Sequence, residues 1–161
     1  MDLQTAILAA VTIAVSLSPF VIYSFVTKIK ARNLLSRLQE AAHSVGSSIQ
    51  DYEPCGNYII GIDSKKKMLF FLRKVPDNFK PQVINLDKVL QCKKIHDART
   101  VKDGSSQYTS VERLGLHFVF RDPSVLDAQL EFFNIETDIK PSGELQSMDK
   151  WHDIVKGALS K

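Results

Sequence analysis

The sequence predicts an α+β protein in three parts. Residues 1–27 read as a transmembrane anchor and 28–50 as a juxtamembrane amphipathic helix. Residues 51–161 read as an antiparallel β-sheet or partial barrel closed by a C-terminal amphipathic helix over 143–160. Three observations carry this. The 25 residues from Leu3 to Thr27 hold no charge, while all 21 Lys and Arg of the 161-residue chain lie at or after Lys28. From Tyr58 to Phe133 short apolar runs alternate with polar residues and turn signals, the period of strands. From Leu145 to Leu159 the apolar period becomes that of a helix. The averages, 44% hydrophobic and 24% charged, exclude a disordered, collagen-like or disulfide-dense chain.

Seventeen of the 25 uncharged residues are apolar. As a helix the segment is about 37 Å long, against a hydrocarbon core of about 30 Å, so it crosses with some tilt. Pro19 lacks an N–H and predicts a kink near Ala14 to Leu17. Tyr23 and Phe25 suit the interface. A cleaved signal peptide needs a basic start and a small-x-small site. Here the start carries Asp2, and the nearest candidate site, Ser16-Leu17-Ser18, is followed by Pro19. The segment therefore reads as an uncleaved signal anchor. Lys28, Lys30, Arg32 and Arg37 follow it with no acid before Glu40. The positive-inside rule then places the C-terminal domain in the cytoplasm, with the chain in the cell membrane. Ala6, Ala10, Ala14 and Ser18 recur every four residues, a small-residue seam for helix–helix association.

Leu34, Leu35, Leu38, Ala41, Ala42, Val45 and Ile49 form one helical stripe. Two roles compete for it. It can pack on the following domain or on a second copy, or it can lie on the bilayer with Lys28, Lys30, Arg32 and Arg37 near anionic lipid. Glu53-Pro54-Cys55-Gly56 reads as a firm break.

Tyr58 to Ile62 reads as a strand, Asp63 to Lys66 as a turn, and Lys67 to Arg73 as the hairpin partner. Gln82 to Leu86 and Val89 to Ile95 give one or two strands around Asp87. Asp97 to Ser110 is polar and reads as a long loop or hairpin tip. Val111 to Phe120 is the clearest strand, with Leu114, Leu116, Phe118 and Phe120 on one face. In the last strand Ala128, Leu130 and Phe132 alternate with Gln129, Glu131 and Phe133. Pro141-Ser142-Gly143 then opens the closing helix, whose stripe is Leu145, Met148, Trp151, Ile154, Val155, Ala158 and Leu159. Glu144 at its start and Lys161 at its end suit the helix dipole.

The chemistry of catalysis is hard to find. His43, His96, His117 and His152 form no helical metal pair. Cys55 and Cys92 lie 37 residues apart, and a cytoplasmic setting argues against a disulfide. No P-loop, GxGxxG or GxSxG pattern occurs. No catalytic, cofactor or metal residue is assigned, and no small-molecule substrate is implied. The domain holds 17 basic and 16 acidic residues, too balanced for a nucleic-acid surface. The excess of +3 comes from the cluster beside the anchor, where it acts as a topology signal.

The strand-then-helix order resembles pleckstrin-homology-like domains. The whole chain is also similar to a group of small, single-pass bacterial membrane proteins of uncharacterised function. The residues that carry this second resemblance are Ile60-Gly61-Ile62-Asp63, Ile84-Asn85-Leu86-Asp87-Lys88-Val89, Leu114-Gly115-Leu116-His117-Phe118, Gly143-Glu144-Leu145 and Lys150-Trp151-His152. None is catalytic, so the resemblance implies architecture and location. In the pleckstrin-like register Lys65, Lys66 and Lys67 fall at the first hairpin turn, where such domains hold phosphoinositide head groups. The family pattern wants a basic residue two positions before an Arg of the second strand; before Arg73 that position is Phe71. The expectation is a membrane-tethered, non-catalytic interaction module that binds a protein partner or itself. The alternatives are a reader of anionic lipid through Lys65–Lys67 and the juxtamembrane helix, and an enzyme of unrecognised site.

Overall fold

The computed structural model describes residues 31–74, 81–103 and 106–160. The chain divides into two compact units, Met1–Leu34 and Leu35–Lys161. Of the first unit only residues 31–34 are described, and they are helical. The proposed membrane span over 3–27 therefore lies outside the described residues. No helix among the described residues is long and apolar enough to cross a membrane.

Helix α1 occupies residues 31–44. Seven strands follow among the described residues: β1 Asp51–Cys55, β2 Tyr58–Asp63, β3 Met68–Arg73, β4 Gln82–Asn85, β5 Val89–Asp103, β6 Ser106–Phe120 and β7 Ala128–Asn134. One 3-10 turn, Leu86–Lys88, joins β4 to β5, and helix α2, Glu144–Leu159, ends the fold. The strands do not close into a barrel. They form two antiparallel sheets, ordered β1-β2-β3-β4 and β5-β6-β7.

The strands β2 and β3 are buried along almost their whole length. Alternation divides their side chains between two faces. Tyr58, Ile60, Ile62, Leu69, Phe71 and Ile84 point inward to the main core. There they meet Leu114, Leu116, Phe118, Leu130 and Phe133 of the second sheet and Met148, Trp151 and Val155 of α2. Tyr58, Phe71 and Phe132 form an aromatic trio with ring centroids 4.7 to 5.5 Å apart. Ile59, Phe70 and Leu72 point the other way and are fully buried outside that core. On this outer face lies α1. A Cβ added at Gly61 would stand 3.3 Å from Leu38 Cδ2 and 2.8 Å from Ile49 Cγ2. Glycine at 61 is what lets the helix and its exit segment approach the sheet, and Leu38 and Ala42 are buried accordingly. The juxtamembrane stripe thus packs on protein over these residues.

Three sequence expectations need correction. Glu53-Pro54-Cys55 is strand β1 and not a break. Proline is tolerated there because β1 is an outer strand whose other edge needs no ladder donor. Of the loop and hairpin readings of Asp97 to Ser110 the loop falls: β5 and β6 run on as a two-stranded ribbon, paired from Ala98 with Val111 to Asp103 with Ser106. In β7 the alternation fails at a register shift opposite Leu114 and Gly115, where Phe132 is the extra residue. This bulge turns Phe132 and Phe133 both into the core. Gly115 makes room for it, since a Cβ there would lie 2.5 Å from the Leu130 carbonyl oxygen.

Candidate functional site

The most organised polar cluster joins α1 to the sheet. Asp63 ends β2, is 2% exposed, and forms no ion pair among the described residues. Ser47 Oγ donates to its Oδ2 at 2.5 Å and the Ser48 N–H at 3.0 Å. The Lys65 and Lys66 N–H groups donate to its Oδ1, each at 3.0 Å. Burial opposes ionisation of Asp63, but the donors from Ser47, Ser48, Lys66 and Gln50 outweigh it and hold its carboxyl well below the usual carboxylate range. Gln50 reinforces the join: its Oε1 accepts from the Ser64 N–H at 2.8 Å, and its Nε2 donates to the Ser48 carbonyl at 2.7 Å. Lys66 Nζ donates to the Gly46 carbonyl just past the end of α1. One carboxylate therefore pins the exit of α1 to the β2–β3 turn.

This turn contains the three lysines singled out in the sequence. Because β1 precedes β2, it is the turn of the second hairpin, and Arg73 ends the third strand. Lys66 is engaged with Gly46, and Lys67, held at φ 50°, pairs with Asp87 at 3.3 Å. Lys65 is exposed. Arg32 and Arg37 are exposed on α1. Lys28, Lys30, Ala6, Ala10, Ala14 and Ser18 lie outside the described residues.

Arg73 faces inward. Its guanidinium is paired with Glu131, bonds Asp138 at 2.5 Å and reaches Thr137 Oγ1 at 2.9 Å. Asp138 also accepts from the Asn134 N–H and from Asn57 Nδ2, both at 2.9 Å. The network ties β3 to β7 across the two sheets. A buried guanidinium must be neutralised where it sits, so Arg73 serves the fold and offers no charge to a head group.

A third cluster lies where α2 begins. Glu53 accepts from Lys150 Nζ at 2.5 Å and Trp151 Nε1 at 3.3 Å, fixing the helix to β1. Burial works against the charge on Glu53, yet Lys150 and Ser147 hold its carboxyl below the ordinary value. Burial pushes the Cys55 thiol up, and nearby Glu144 and Glu53 push the same way. Burial also raises the Tyr58 hydroxyl. These shifts suppress the thiolate that nucleophilic chemistry needs. Among the described residues no three His, Cys, Asp or Glu side chains converge as a metal site requires.

A further feature is a cleft of about 410 Å³ between the start of β5 and the end of α2. Leu90, Cys92, His152, Lys156 and Leu159 line it. Burial pushes the Cys92 thiol up to about 12. Sequence reading missed the cleft because its two walls are about 60 residues apart in the chain.

No protein-family model, no curated protein and no solved structure matches the chain.

Proposed function

We propose that this chain is a single-pass protein of the cell membrane whose C-terminal unit is a pleckstrin-like, non-catalytic interaction module at the cytoplasmic face. It binds a protein partner or a second copy. The observation that carries the proposal is the Asp63 join. A domain whose connecting helix is buried on its own sheet, and locked by a four-donor carboxylate, is positioned by its tether. That property serves presentation of a surface and is wasted on a freely diffusing protein. The four-plus-three strand order with a closing helix supports the pleckstrin-like reading. Engagement of Lys66, Lys67 and Arg73 with partners in this chain weakens the lipid-reading alternative, as does the missing basic residue at Phe71.

Two experiments test this. A reporter fused after Lys161 that is active only outside the cytoplasm is expected to stay silent; activity overturns the topology. Cross-linking in native membranes is expected to yield a stoichiometric adduct, with a partner or with a second copy. If the full chain in nanodiscs instead captures anionic vesicles in a salt-sensitive manner, the lipid reading replaces this one.

A further inference from the structure

The cleft between β5 and α2 combines three properties that belong to a strand-accepting groove. First, among the described strands β5 pairs with β6 alone, which leaves its other edge without a ladder partner, and its residues Leu90, Gln91 and Cys92 line the cleft. Second, Leu90 stands at a register shift between Val89 and Gln91 and is 61% exposed, although Val89 beside it is fully buried. The bulge turns a large apolar side chain out of the core, and it lines the cleft together with Leu159. Third, the rim has an unanswered positive charge. Lys94 is matched by Asp149 at 2.9 Å and Asp153 lies beside His152 at 3.3 Å. Lys93 and Lys156 are exposed and have no ion pair among the described residues.

From these we infer that the cleft seats an extended, acidic segment of a partner protein. The segment lies as an added strand on β5, with an apolar side chain over Leu90 and Leu159 and a carboxylate at Lys156. Backbone bonds to β5 supply affinity without sequence demand, while the Leu90 contact and the Lys156 charge select the segment. A second copy of β5 fits poorly, because self-pairing brings Lys93, Lys94 and Arg99 of two chains together. This inference rests on the interaction-module reading and names its site.

The test is a random-peptide display selection on the full chain in nanodiscs, followed by amide hydrogen exchange with an enriched peptide. Enriched peptides are expected to combine acidic and apolar residues and to slow exchange along residues 91–97. Lys156→Glu, an exposed change, is expected to weaken them about three- to tenfold. Leu90→Asp is expected to weaken them as well, and Leu126→Asp, in the β6–β7 loop, to leave them unchanged. Enriched peptides that bind the Lys156→Glu and Leu90→Asp chains like the parent overturn the cleft and leave the module reading intact. So does a failure to enrich peptides when native-membrane cross-linking still yields a partner. An adduct joining Leu90 positions of two copies overturns the choice of occupant. Neither peptides nor any adduct overturns both readings.

Discussion

The two faces of the β1–β4 sheet are buried by different means. The inner face meets the second sheet and α2 through large apolar groups: the Tyr58, Phe71 and Phe132 rings, with Trp151 fully enclosed. The outer face meets α1 and its exit through Leu38 and Ile49 against Gly61, and the join is completed by polar atoms around Asp63. Apolar burial scales with area and is nearly indifferent to pH. A buried carboxylate with four donors is strong only while it is charged and every donor is in place. The inner face thus holds the domain together, and the outer face holds the domain to α1. The difference predicts that damage on the inner side is global and damage on the outer side is local.

The largest effect is expected from Trp151→Ala. Removing the indole leaves a cavity in the main core and also takes away one donor to Glu53, for a loss of about 3–5 kcal/mol. Denaturant unfolding followed by circular dichroism should show the midpoint fall while the transition stays single. A second transition, with α2 melting alone, would sink the claim that the inner face is one cooperative unit.

The inner face was largely legible in the sequence and the outer join was not, for physical reasons. The apolar run from Tyr58 to Ile62 reports a strand, alternation along Leu114 to Phe120 reports its buried face, and the stripe from Leu145 to Leu159 does so at helical period. Phe133 escaped because a bulge breaks period two, and no residue type announces it beyond Gly115 on the facing strand. Strand β1 escaped because Pro54 signals a break except on an outer strand, a status known only from the sheet order. The paired length of the ribbon from Ala98 to Ser110 escaped because its sequence is polar and carries no apolar period to separate a strand from a loop. The sequence shows Asp63 as turn chemistry, which is half of its role: Lys65 and Lys66 are local donors, while Ser47 and Ser48 lie 16 and 15 residues away.

Next in size is Asp63→Asn. An amide nitrogen in place of Oδ2 faces the donors Ser47 Oγ–H and Ser48 N–H, so the join loses about 2–3 kcal/mol. Exchange protection of residues 35–44 should drop, and protection of β2, β3 and α2 should stay. The pH dependence follows from the depressed folded pKa. The contribution of Asp63 is fully present above the unfolded value, about 4. It is lost only as pH falls through the lower folded value. Docking of α1 should therefore be constant from neutral pH to about 5 and weaken in stronger acid, and the Asn variant should show no such acid step.

Gly61→Ala tests the apolar half of the same face. The new methyl meets Ile49, 2.8 Å away, and Leu38, 3.3 Å away, so the exit segment and α1 must shift outward. Overpacking of this kind costs about 1–2 kcal/mol. The loss should again appear as faster exchange in residues 35–44, without a change in the ring contacts of Tyr58. A global loss equal to that of Trp151→Ala would erase the distinction between the faces.

The smallest effect is expected from Lys66→Gln, and it is the most discriminating. Lys66 contributes two different things: its N–H to Asp63 and its ammonium to the Gly46 carbonyl. The substitution keeps the first and removes the second, which is exposed to solvent and therefore worth less than about 1 kcal/mol. The ammonium also favours the carbonyl end of α1 through the helix dipole, an effect that salt screens. If the outer join is electrostatic in part, raising salt should quicken exchange in residues 35–44 of the parent chain slightly and leave the Gln variant unmoved. Lys65→Gln, an exposed neighbour, should resemble the parent in both conditions. An equal response in all three chains would place the strength of the join in Asp63 and its backbone donors alone.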